Sequence, residues 1–392
     1  LQILRALHEL KPSVSLEVLV LVGEGKAFKS AVSEGWLRIV GPSMRLPSGG
    51  FSNQSLRGMI ADIGAGLLQV TWNQWLFVRS AVHRRKLIIA VGDLLPLFFA
   101  WSSGASFGFI GTPKSDYTWR SGLGSDISDY YHCLKGTEWE PWEYAFMRSS
   151  RCKMVAVRDQ LTARGLRKKG VAAQSPGNPM MDGLYKLALP EAIRPFRRLL
   201  LLCGSRAVEA KRNFQRLITA SSLVQCQTPI IILVALGSEP SAKELEDVLP
   251  GLGYQRSSFL TDQIDAHSSW TKGSSNLLIA EGKFSLWASW AEIGLATAGT
   301  ATEQLVGLGI PALSLPGEGP QFKRKFAVRQ SRLLGGAVKV CRSPKLLAER
   351  IEMLLNDHSL RQKIGSVGLR RMGPQGGSAA LAVLISKLLL GH

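Results

Sequence analysis

The chain has 392 residues, of which 45% are hydrophobic and 20% are charged. This composition excludes a disordered protein, and the length is sufficient for two domains with separate hydrophobic cores. Lys and Arg outnumber Asp and Glu by 48 to 29, and the net charge of +19 favours a polyanionic partner: a phosphorylated substrate, an anionic membrane surface or nucleic acid. The five cysteines are scattered and lack C-x-x-C spacing, which indicates a reducing cytoplasm rather than a zinc site.

Apolar runs of strand length alternate with helix-like segments along the whole chain. The predicted strands span 16–22, 87–91, 107–110, 154–157, 199–203, 230–235, 277–280, 293–296, 312–315 and 337–340. Continuous apolar strands that alternate with helices are typical of parallel sheets covered on both faces. We therefore predict an α/β protein with two Rossmann-like, doubly wound domains that face each other across a cleft.

Proline placement predicts where the two domains meet, because Pro190 and Pro195 interrupt any helix between them. The predicted organisation is an N-terminal domain, a linker, a C-terminal domain and a closing amphipathic helix, at 1–188, 189–197, 198–375 and 376–392. The chain opens at Leu1 inside a helical pattern without a start methionine, so we expect the N-terminal domain to be truncated.

The longest apolar stretch, 87–111, has the length of a membrane span. Asp93, Pro96 and the polar break at 102–104 would be costly in lipid, so we interpret the stretch as a strand, a helix and a second strand. A transmembrane helix is the alternative interpretation.

Several turns in the first half follow predicted strands and are candidates for lining the cleft. The candidate residues are Gly23, Gly25, Gly92, Asp93, Thr112, Lys114 and Ser115, together with Asn178 and Asp182 just before the linker. Asp93 is a candidate general base, because a carboxylate at the carboxyl end of a strand faces the cleft and burial can raise its pKa. The alternative for Asp93 is a hydrogen bond within its loop.

The second half opens with a strand that runs into Gly204-Ser205-Arg206. Gly204 allows a tight turn, Ser205 is a possible helix cap, and Arg206 offers a permanently charged fork for phosphate oxygens. The alternative for Arg206 is an ion pair with Glu209 on the surface of the next helix.

The most informative motif is Ala298-Gly299-Thr300-Ala301-Thr302-Glu303-Gln304, where an apolar strand runs through a glycine turn into a helix. Thr300 and Glu303 have the spacing of a capping box, so Thr300 is predicted to cap the helix. The free N–H groups and the positive dipole end at such a helix start bind anions. A second glycine-rich turn, with Gly317, Gly319 and Gln321, follows the next strand. Two such turns at adjacent strand ends suit a ligand that carries a diphosphate.

An apolar, aromatic stripe at 67–77 leads into basic residues at 79–86, and further basic clusters lie at 148–169 and 323–332. The stripe has the composition of an interfacial membrane anchor, although core packing is the more common explanation for such a stripe. For the basic cluster at 148–169, contact with anionic lipid and a solvated face are equal alternatives. The histidines lack metal-ligand spacing, and Walker and G-x-S-x-G sequences are missing, so we expect neither a metal nor a cofactor.

The motifs together resemble lipid-A-disaccharide synthase, a glycosyltransferase of the two-Rossmann (GT-B) type. The segments that carry the resemblance are 23–28, 177–179 with Asp182, 204–206 with Glu209, and 299–301. Segments 177–183, 298–304 and 316–322 are similar to the lipid-A-disaccharide-synthase-related proteins of photosynthetic bacteria. The resemblance implies a metal-independent hexosyltransferase at the cytoplasmic face of the membrane, which moves a sugar from a nucleotide diphosphate sugar, a UDP-sugar, to a lipid-like acceptor.

The resemblance also assigns residue roles. Arg206 and Asp93 are the implied catalytic residues, and the cleft residues of the first half lie on the acceptor side. The implied donor-binding residues are Gly204, Ser205, Arg206, Gly299, Thr300, Ala301, Thr302, Glu303, Gln304, Gly317, Gly319 and Gln321. The family's acidic residue near the donor ribose falls at the position of Gln304, so either Glu303 or Gln304 is expected to hold the ribose. A non-hydrolysing UDP-sugar 2-epimerase and a non-enzymatic protein that binds RNA or anionic lipid remain alternatives, and nucleic acid is the less favoured partner because no reader motif is present.

Overall fold

A computed structural model describes residues 1–46, 56–80, 86–121, 127–205, 207–237, 239–317 and 322–391. The chain forms two compact units, Leu1–Asp182 with Gln375–His392 and Gly183–Pro374. The segment 189–197, which we predicted to be a linker, lies within the second unit. There Ile193 is completely buried, and Arg197 is the first residue of a strand.

Within the described residues, the first unit contains two parallel sheets. Strands β1 (Leu16–Val18) and β2 (Leu37–Ile39) pair with each other, and β3 (Ile88–Gly92), β4 (Phe107–Gly111), β5 (Cys152–Val157) and β6 (Ala173–Gln174) form the second sheet in that order. The helices before the second unit are α1 (Gln2–Leu10), α2 (Lys29–Ser33), α3 (Leu56–Gly64), α4 (Leu67–Arg79), α5 (Leu94–Ser102), α6 (Tyr117–Arg120), α7 (Ile127–Lys135), α8 (Pro141–Met147) and α9 (Gln160–Arg167). β1 is shorter than predicted because its partner β2 offers only three residues for pairing.

The second unit contains one eight-stranded sheet. Its strands are β7 (Arg197–Leu202), β8 (Ile230–Leu236), β9 (Gln255–Ser257), β10 (Ser268–Lys272), β11 (Ser275–Glu281), β12 (Ile293–Ala296), β13 (Ala312–Ser314) and β14 (Val338–Val340). Their order is β14-β13-β12-β7-β8-β11-β10-β9, and all neighbours are parallel except around β10. The helices are α10 (Ala207–Ser221), α11 (Ala242–Glu246), α12 (Phe284–Trp290), α13 (Thr300–Gly307), α14 (Arg324–Leu333), α15 (Pro344–Asn356) and α16 (His358–Met372).

The sheet of the second unit is doubly wound, because its first strand, β7, lies in the middle and the chain builds outward on both sides. Residues 199–202 of β7 and all of β8 are continuous apolar runs of buried residues, as expected when helices cover both faces of a sheet. The predicted α/β class with Rossmann-like parallel sheets is therefore confirmed.

The stretch 87–111 folds as β3, α5 and β4, in agreement with the strand–helix–strand interpretation. Within the described ranges, every helix is too short or too polar to cross a bilayer. The chain returns to the first unit through α17 (Gly377–Ile385), which continues as a π-helical turn, Ser386–Leu390. Residues Leu381, Ala382 and Ile385 of α17 pack into a core with Ile110 and Met154, so this helix covers one face of the β3–β6 sheet.

Candidate functional site

The candidate site of the second unit is formed where three adjacent parallel strands end. β7, β12 and β13 are neighbours, so the turns that follow them lie along one edge of the sheet. Gly204, after β7, has a φ of +96°, and a Cβ at this position would lie 3.3 Å from the carbonyl oxygen of Thr297, after β12. The first two turns are therefore in backbone contact, and Gly204 is required both for the turn and for the close approach.

The turn after β12 presents an open helix start. Gly299 is the N-cap of α13, and no side chain among the described residues caps it. The carbonyl of Gly299 accepts the N–H groups of Thr302 at 3.1 Å and Glu303 at 3.2 Å. The N–H groups of Thr300 and Ala301 precede these bonds and project from the amino end of the helix, where Thr300 is exposed.

The prediction that Thr300 caps this helix is wrong. Thr300 is the first helical residue, one position inside the cap. Thr302 is completely buried, and its hydroxyl donates to the carbonyl of Ala298 at 2.7 Å, so it supports the turn instead of facing a ligand. Glycine at the cap leaves the amides of the first turn uncovered, which favours a ligand as their partner.

A buried glutamine from α14 fixes the same turn from behind. The Gln330 side chain is 3% exposed, and its Nε2 donates to the carbonyls of Gly299 at 3.0 Å and Ala298 at 3.3 Å. These two bonds fix the carbonyls of Ala298 and Gly299 on the side of α14. Gln330 was missed in the sequence because an isolated glutamine within a helix belongs to no recognisable motif.

The glycine-rich turn after β13 rests on α10. A Cβ on Gly317 would lie 2.6 Å from Oδ1 of Asn213, and Nη1 of Arg216 donates to the carbonyl of Pro316 at 2.7 Å. Asn213 and Arg216 are further supporting residues that the sequence did not single out. Three predicted donor residues, Arg206, Gly319 and Gln321, lie outside the described residues.

Glu303 and Gln304, the two candidates for holding a ribose, both belong to α13 and are half-buried. Ser205 is exposed directly after the Gly204 turn. The described donor candidates thus lie on the three turns and on the first turns of α13.

In the first unit, the candidate general base Asp93 lies on the surface and not in a buried position. Asp93 directly precedes α5, its side chain is 53% exposed, and Nζ of Lys114 lies 3.3 Å from its Oδ1. Lys114 also donates to both carboxylate oxygens of Glu143 at 2.6 Å. Glu143 is completely buried, and this burial raises its pKa above the usual value. The first unit thus brings together an acid–base–acid cluster, Asp93, Lys114 and Glu143.

Ser115 lies in the interior of the first unit, not on a surface that a substrate can reach. It is completely buried, its N–H donates to Oε2 of Glu138 at 2.9 Å, and its hydroxyl donates to Oδ2 of Asp159 at 2.7 Å. Thr112, three residues earlier, is exposed, and its N–H donates to the carbonyl of Gly92 at 3.3 Å.

Asn178 and Asp182 hold the C-terminal helix. Asp182 accepts the N–H groups of Gly376 at 2.6 Å, Gly377 at 3.1 Å and Ser378 at 2.7 Å, at the start of α17. Asn178 is 4% exposed, and a Cβ on Gly377 would lie 2.7 Å from its backbone nitrogen. Both residues were predicted to line a cleft, and in the structure their contacts are with the chain itself.

The two glycines after β1 occupy left-handed conformations. Gly23 has a φ of +79° and Gly25 a φ of +70°, and a Cβ on Gly25 would lie 3.0 Å from Cδ1 of Ile39. Gly25 is buried, whereas Gly23 has open space beside it.

Large apolar side chains are exposed on α3 and α4. Ile60 and Leu68 are each 66% exposed, and Trp72 is 58% exposed. The guanidinium of Arg79 lies 4.6 Å from the ring centroid of Trp75 on the same helix. The predicted interfacial stripe is thus partly on the surface, although Gln74 and Val78 of α4 are buried.

An apolar pocket of about 400 Å³ opens between α5 and α8. Its lining residues are Leu94, Leu95, Phe98, Trp142 and Phe146. Leu94 directly follows Asp93, and Trp142 directly precedes Glu143, so the pocket adjoins the acid–base–acid cluster.

The sequence matches no protein-family model and no curated protein, whereas solved structures share its fold. The calicheamicin glycosyltransferase CalG4 is similar at a TM-score of 0.61 and 13% identity, over 99% of this chain and 94% of that one. A putative UDP-N-acetylglucosamine 2-epimerase from Listeria monocytogenes gives 0.54 and 12%, over 98% and 91%. MurG from Acinetobacter baumannii gives 0.53 and 13%, over 98% and 94%. Identities this low establish the fold alone, which is that of the GT-B glycosyltransferases.

Proposed function

We propose that this chain is a GT-B glycosyltransferase that moves a sugar from a nucleotide diphosphate sugar, a UDP-sugar, to a lipid-like acceptor. The observation that carries the proposal is the uncapped start of α13, which lies beside the Gly204 turn at the carboxyl ends of adjacent parallel strands. Ligands of open α/β sheets bind at this edge, and amides at a helix start bind phosphate.

The proposal gives specific roles to the donor residues that lie at the Gly204 turn and at the start of α13. The amides of Thr300 and Ala301 hold the diphosphate, and Gly204 allows the ligand to approach the backbone. Arg206 neutralises the charge that develops on the leaving nucleotide, and Glu303 or Gln304 holds the ribose. Catalysis then depends on positioning and on charge stabilisation by the protein, without a metal ion.

Two features of the first unit support a lipid-like acceptor. The apolar pocket beside Asp93 and Glu143 offers space for an apolar chain next to polar groups. The exposed Ile60, Leu68 and Trp72, in a chain of net charge +19, are the combination that binds to an anionic membrane surface. We therefore place the enzyme peripherally on the cytoplasmic face, with an acceptor of the kind used by lipid-A-disaccharide-synthase-related enzymes.

The substitution Gly299→Asp tests the donor site. Among the described residues, only Cζ of Phe326 lies within 4 Å of a Cβ at residue 299, at 3.9 Å, which leaves room for a side chain there. Asp and Asn are both favourable N-cap residues, but only Asp brings a negative charge that repels a diphosphate. We expect Gly299→Asp to weaken UDP binding about 100-fold in calorimetry, whereas Gly299→Asn retains most of the affinity. Equal affinities of the two variants would remove the start of α13 from the donor site.

Epimerisation of the nucleotide sugar is the second candidate function, because the fold is also similar to that of a putative epimerase. Analysis of the reaction products distinguishes it from sugar transfer. The full chain is incubated with UDP-N-acetylglucosamine, with and without vesicles that contain a lipid with a free sugar hydroxyl. Transfer predicts a glycosylated lipid only when vesicles are present. An epimerised nucleotide sugar formed without vesicles would favour the second candidate.

A further inference from the structure

A second pocket, of about 320 Å³, lies in the second unit between the sheet edge and the helices α15 and α16. It includes Gly335 and Gly336, which precede β14. These glycines lie at the amino end of β14, whereas the turns after β7, β12 and β13 lie at the carboxyl ends of their strands. The pocket is therefore at the opposite end of the strands from those turns. The proposed donor site therefore does not include it.

The pocket has an apolar interior. Leu354 from α15 and Leu360, Ile364 and Val367 from α16 contribute to its lining. An adjacent face of α16 is fixed, because Cβ atoms on Gly365 and Gly368 would lie 2.0 and 2.3 Å from the carbonyl oxygens of Gly309 and Val306. Since α16 is packed directly against the backbone at the end of α13, the wall of the pocket that Leu360, Ile364 and Val367 form is held in place.

Positive charge surrounds the apolar interior. Lys339, Arg350 and Lys363 line the pocket, and none of the described lining residues is acidic. Nζ of Lys339 lies 3.2 Å from the position that a Cβ on Gly336 would take, which places the ammonium group at the glycine wall. All three residues are exposed, so their charges lie on the solvent side of the pocket, where they favour an anionic ligand.

The paired glycines allow the turn before β14 to approach α16 closely. Gly335 and Gly336 have φ angles of +64° and +82°, which disfavour other residues. A Cβ on Gly335 would lie 2.7 Å from Cγ1 of Val367 and 2.8 Å from Nε of Arg371. A side chain at residue 335 would clash with Val367 and Arg371, so glycine is required where this turn and α16 meet to form one wall of the pocket.

We propose that this pocket binds a single-chain amphiphile with an anionic head, such as a medium-chain carboxylate. The tail lies against Leu354, Leu360 and Ile364, and the head contacts Lys339 and Lys363. The volume is at the lower end of the range for ligand pockets, about 300–1,000 Å³, which limits the tail to one short chain. This site is independent of the proposed transferase activity, because it shares no residue with the donor site.

Calorimetry of the full chain with sodium decanoate, below its micellar concentration, tests the proposal. We expect one binding site per chain and an affinity that rises about two- to fourfold for each CH₂ between hexanoate and decanoate, because each CH₂ is buried. Acetate, which lacks the tail, and 1-decanol, which lacks the charge, should bind at least about tenfold more weakly. The absence of single-site decanoate binding, or equal binding of 1-decanol, would overturn the proposal.

Two sets of variants locate the binding. The double variant Lys339→Gln/Lys363→Gln removes two charges from the lining, and Lys345→Gln/Arg370→Gln removes two charges from α15 and α16 outside it. We expect the first pair to weaken decanoate binding about tenfold or more and the second to leave it within about twofold. Met353→Trp, which fills the pocket from a half-exposed lining position, should abolish binding. Equal effects of the two double variants, or retained binding in a folded Met353→Trp protein, would overturn the assignment.

Discussion

Asp116 is a carboxyl group that the first unit holds almost entirely away from solvent. It is 1% exposed, and its Oδ1 accepts hydrogen bonds from the N–H of Glu138 at 2.8 Å and the hydroxyl of Thr137 at 3.1 Å. Burial raises the pKa of Asp116 from 3.8 to about 7, and the nearby carboxylate of Asp159 adds to this rise, although the hydrogen bonds from Thr137 and Trp119 oppose it. Near neutral pH the side chain is therefore partly protonated.

This raised pKa makes the stability of the first unit depend on pH. Between pH 4 and 7 the folded chain keeps a proton on Asp116 that the unfolded chain has released, so the contribution of Asp116 to the free energy of unfolding falls as pH rises and is constant above the folded pKa. Asp116→Asn stays neutral at every pH and loses this dependence. We expect the variant to gain about 2 kcal/mol relative to the unmodified protein between pH 5 and pH 8. Native-state hydrogen exchange of the amides of Phe107–Gly111 measures this gain, and parallel pH profiles of the two proteins would contradict it.

At the scale of elements, α17 depends on a residue that is remote in the chain. Asp182 accepts three backbone N–H groups at the start of this helix, with both carboxylate oxygens engaged. Asp357 caps α16 in the ordinary local way and accepts a single N–H, that of Leu360 at 2.8 Å. The two aspartates thus differ in how much the second carboxylate oxygen contributes to stabilising the start of the helix.

Replacement of each aspartate by Asn separates these two kinds of cap. Asn replaces Asp well in a local N-cap, so Asp357→Asn should change the stability of α16 by less than about 0.5 kcal/mol. Asp182→Asn loses the charge at the helix start and turns an N–H₂ donor toward the donors of α17, which should cost about 1–3 kcal/mol. Hydrogen exchange of the α17 amides should therefore accelerate at least about tenfold in Asp182→Asn. Equal effects of the two substitutions would show that the second oxygen of Asp182 contributes nothing.

The strands that were predicted well from the sequence are those whose burial on both faces makes their residues continuously apolar. β7 and β8 are covered on both faces, and their apolar runs therefore identify them. β9 and β10 were not predicted, because they lie at the sheet edge and their residues Gln255–Ser257 and Ser268–Lys272 are largely polar. An edge strand is specified by its neighbour more than by its own sequence.

The candidate site likewise contains some residues that the sequence identifies and others that only the fold reveals. A glycine directly after a strand is a local signal, so Gly204 and Gly299 could be found from the sequence. The helix cap was misplaced by one residue, because the T-x-x-E spacing of Thr300 and Glu303 does not reveal which residue leaves the helical conformation. Gln330 supports the turn from 31 residues away, and Asp182 meets Gly376 from 194 residues away. Such partners become visible only when the fold brings them together.

At the scale of the whole molecule, the two units differ in how the chain builds them. The second unit is one continuous segment, Gly183–Pro374, whereas the first is built from two segments of the chain. The last helix supplies Leu381, Ala382 and Ile385 to a core of the first unit, so residues 1–182 alone lack part of that core. The chain leaves the first unit at Asp182 and re-enters beside it, because Oδ1 of Asp182 accepts the N–H of Gly376 at 2.6 Å.

This arrangement predicts that the second unit can be removed without unfolding the first. A variant that joins residue 182 to residue 375 through a short Gly/Ser linker should fold, because the two ends already lie side by side. Residues 1–182 without α17 should lack cooperative unfolding, because the apolar face of β4 and β5 at Ile110 and Met154 loses its cover. Residues 183–374 should fold alone and, on the proposed function, bind UDP. Circular dichroism melting curves of the three fragments test these expectations, and a cooperative transition in residues 1–182 alone would show that α17 is not needed to complete the first unit.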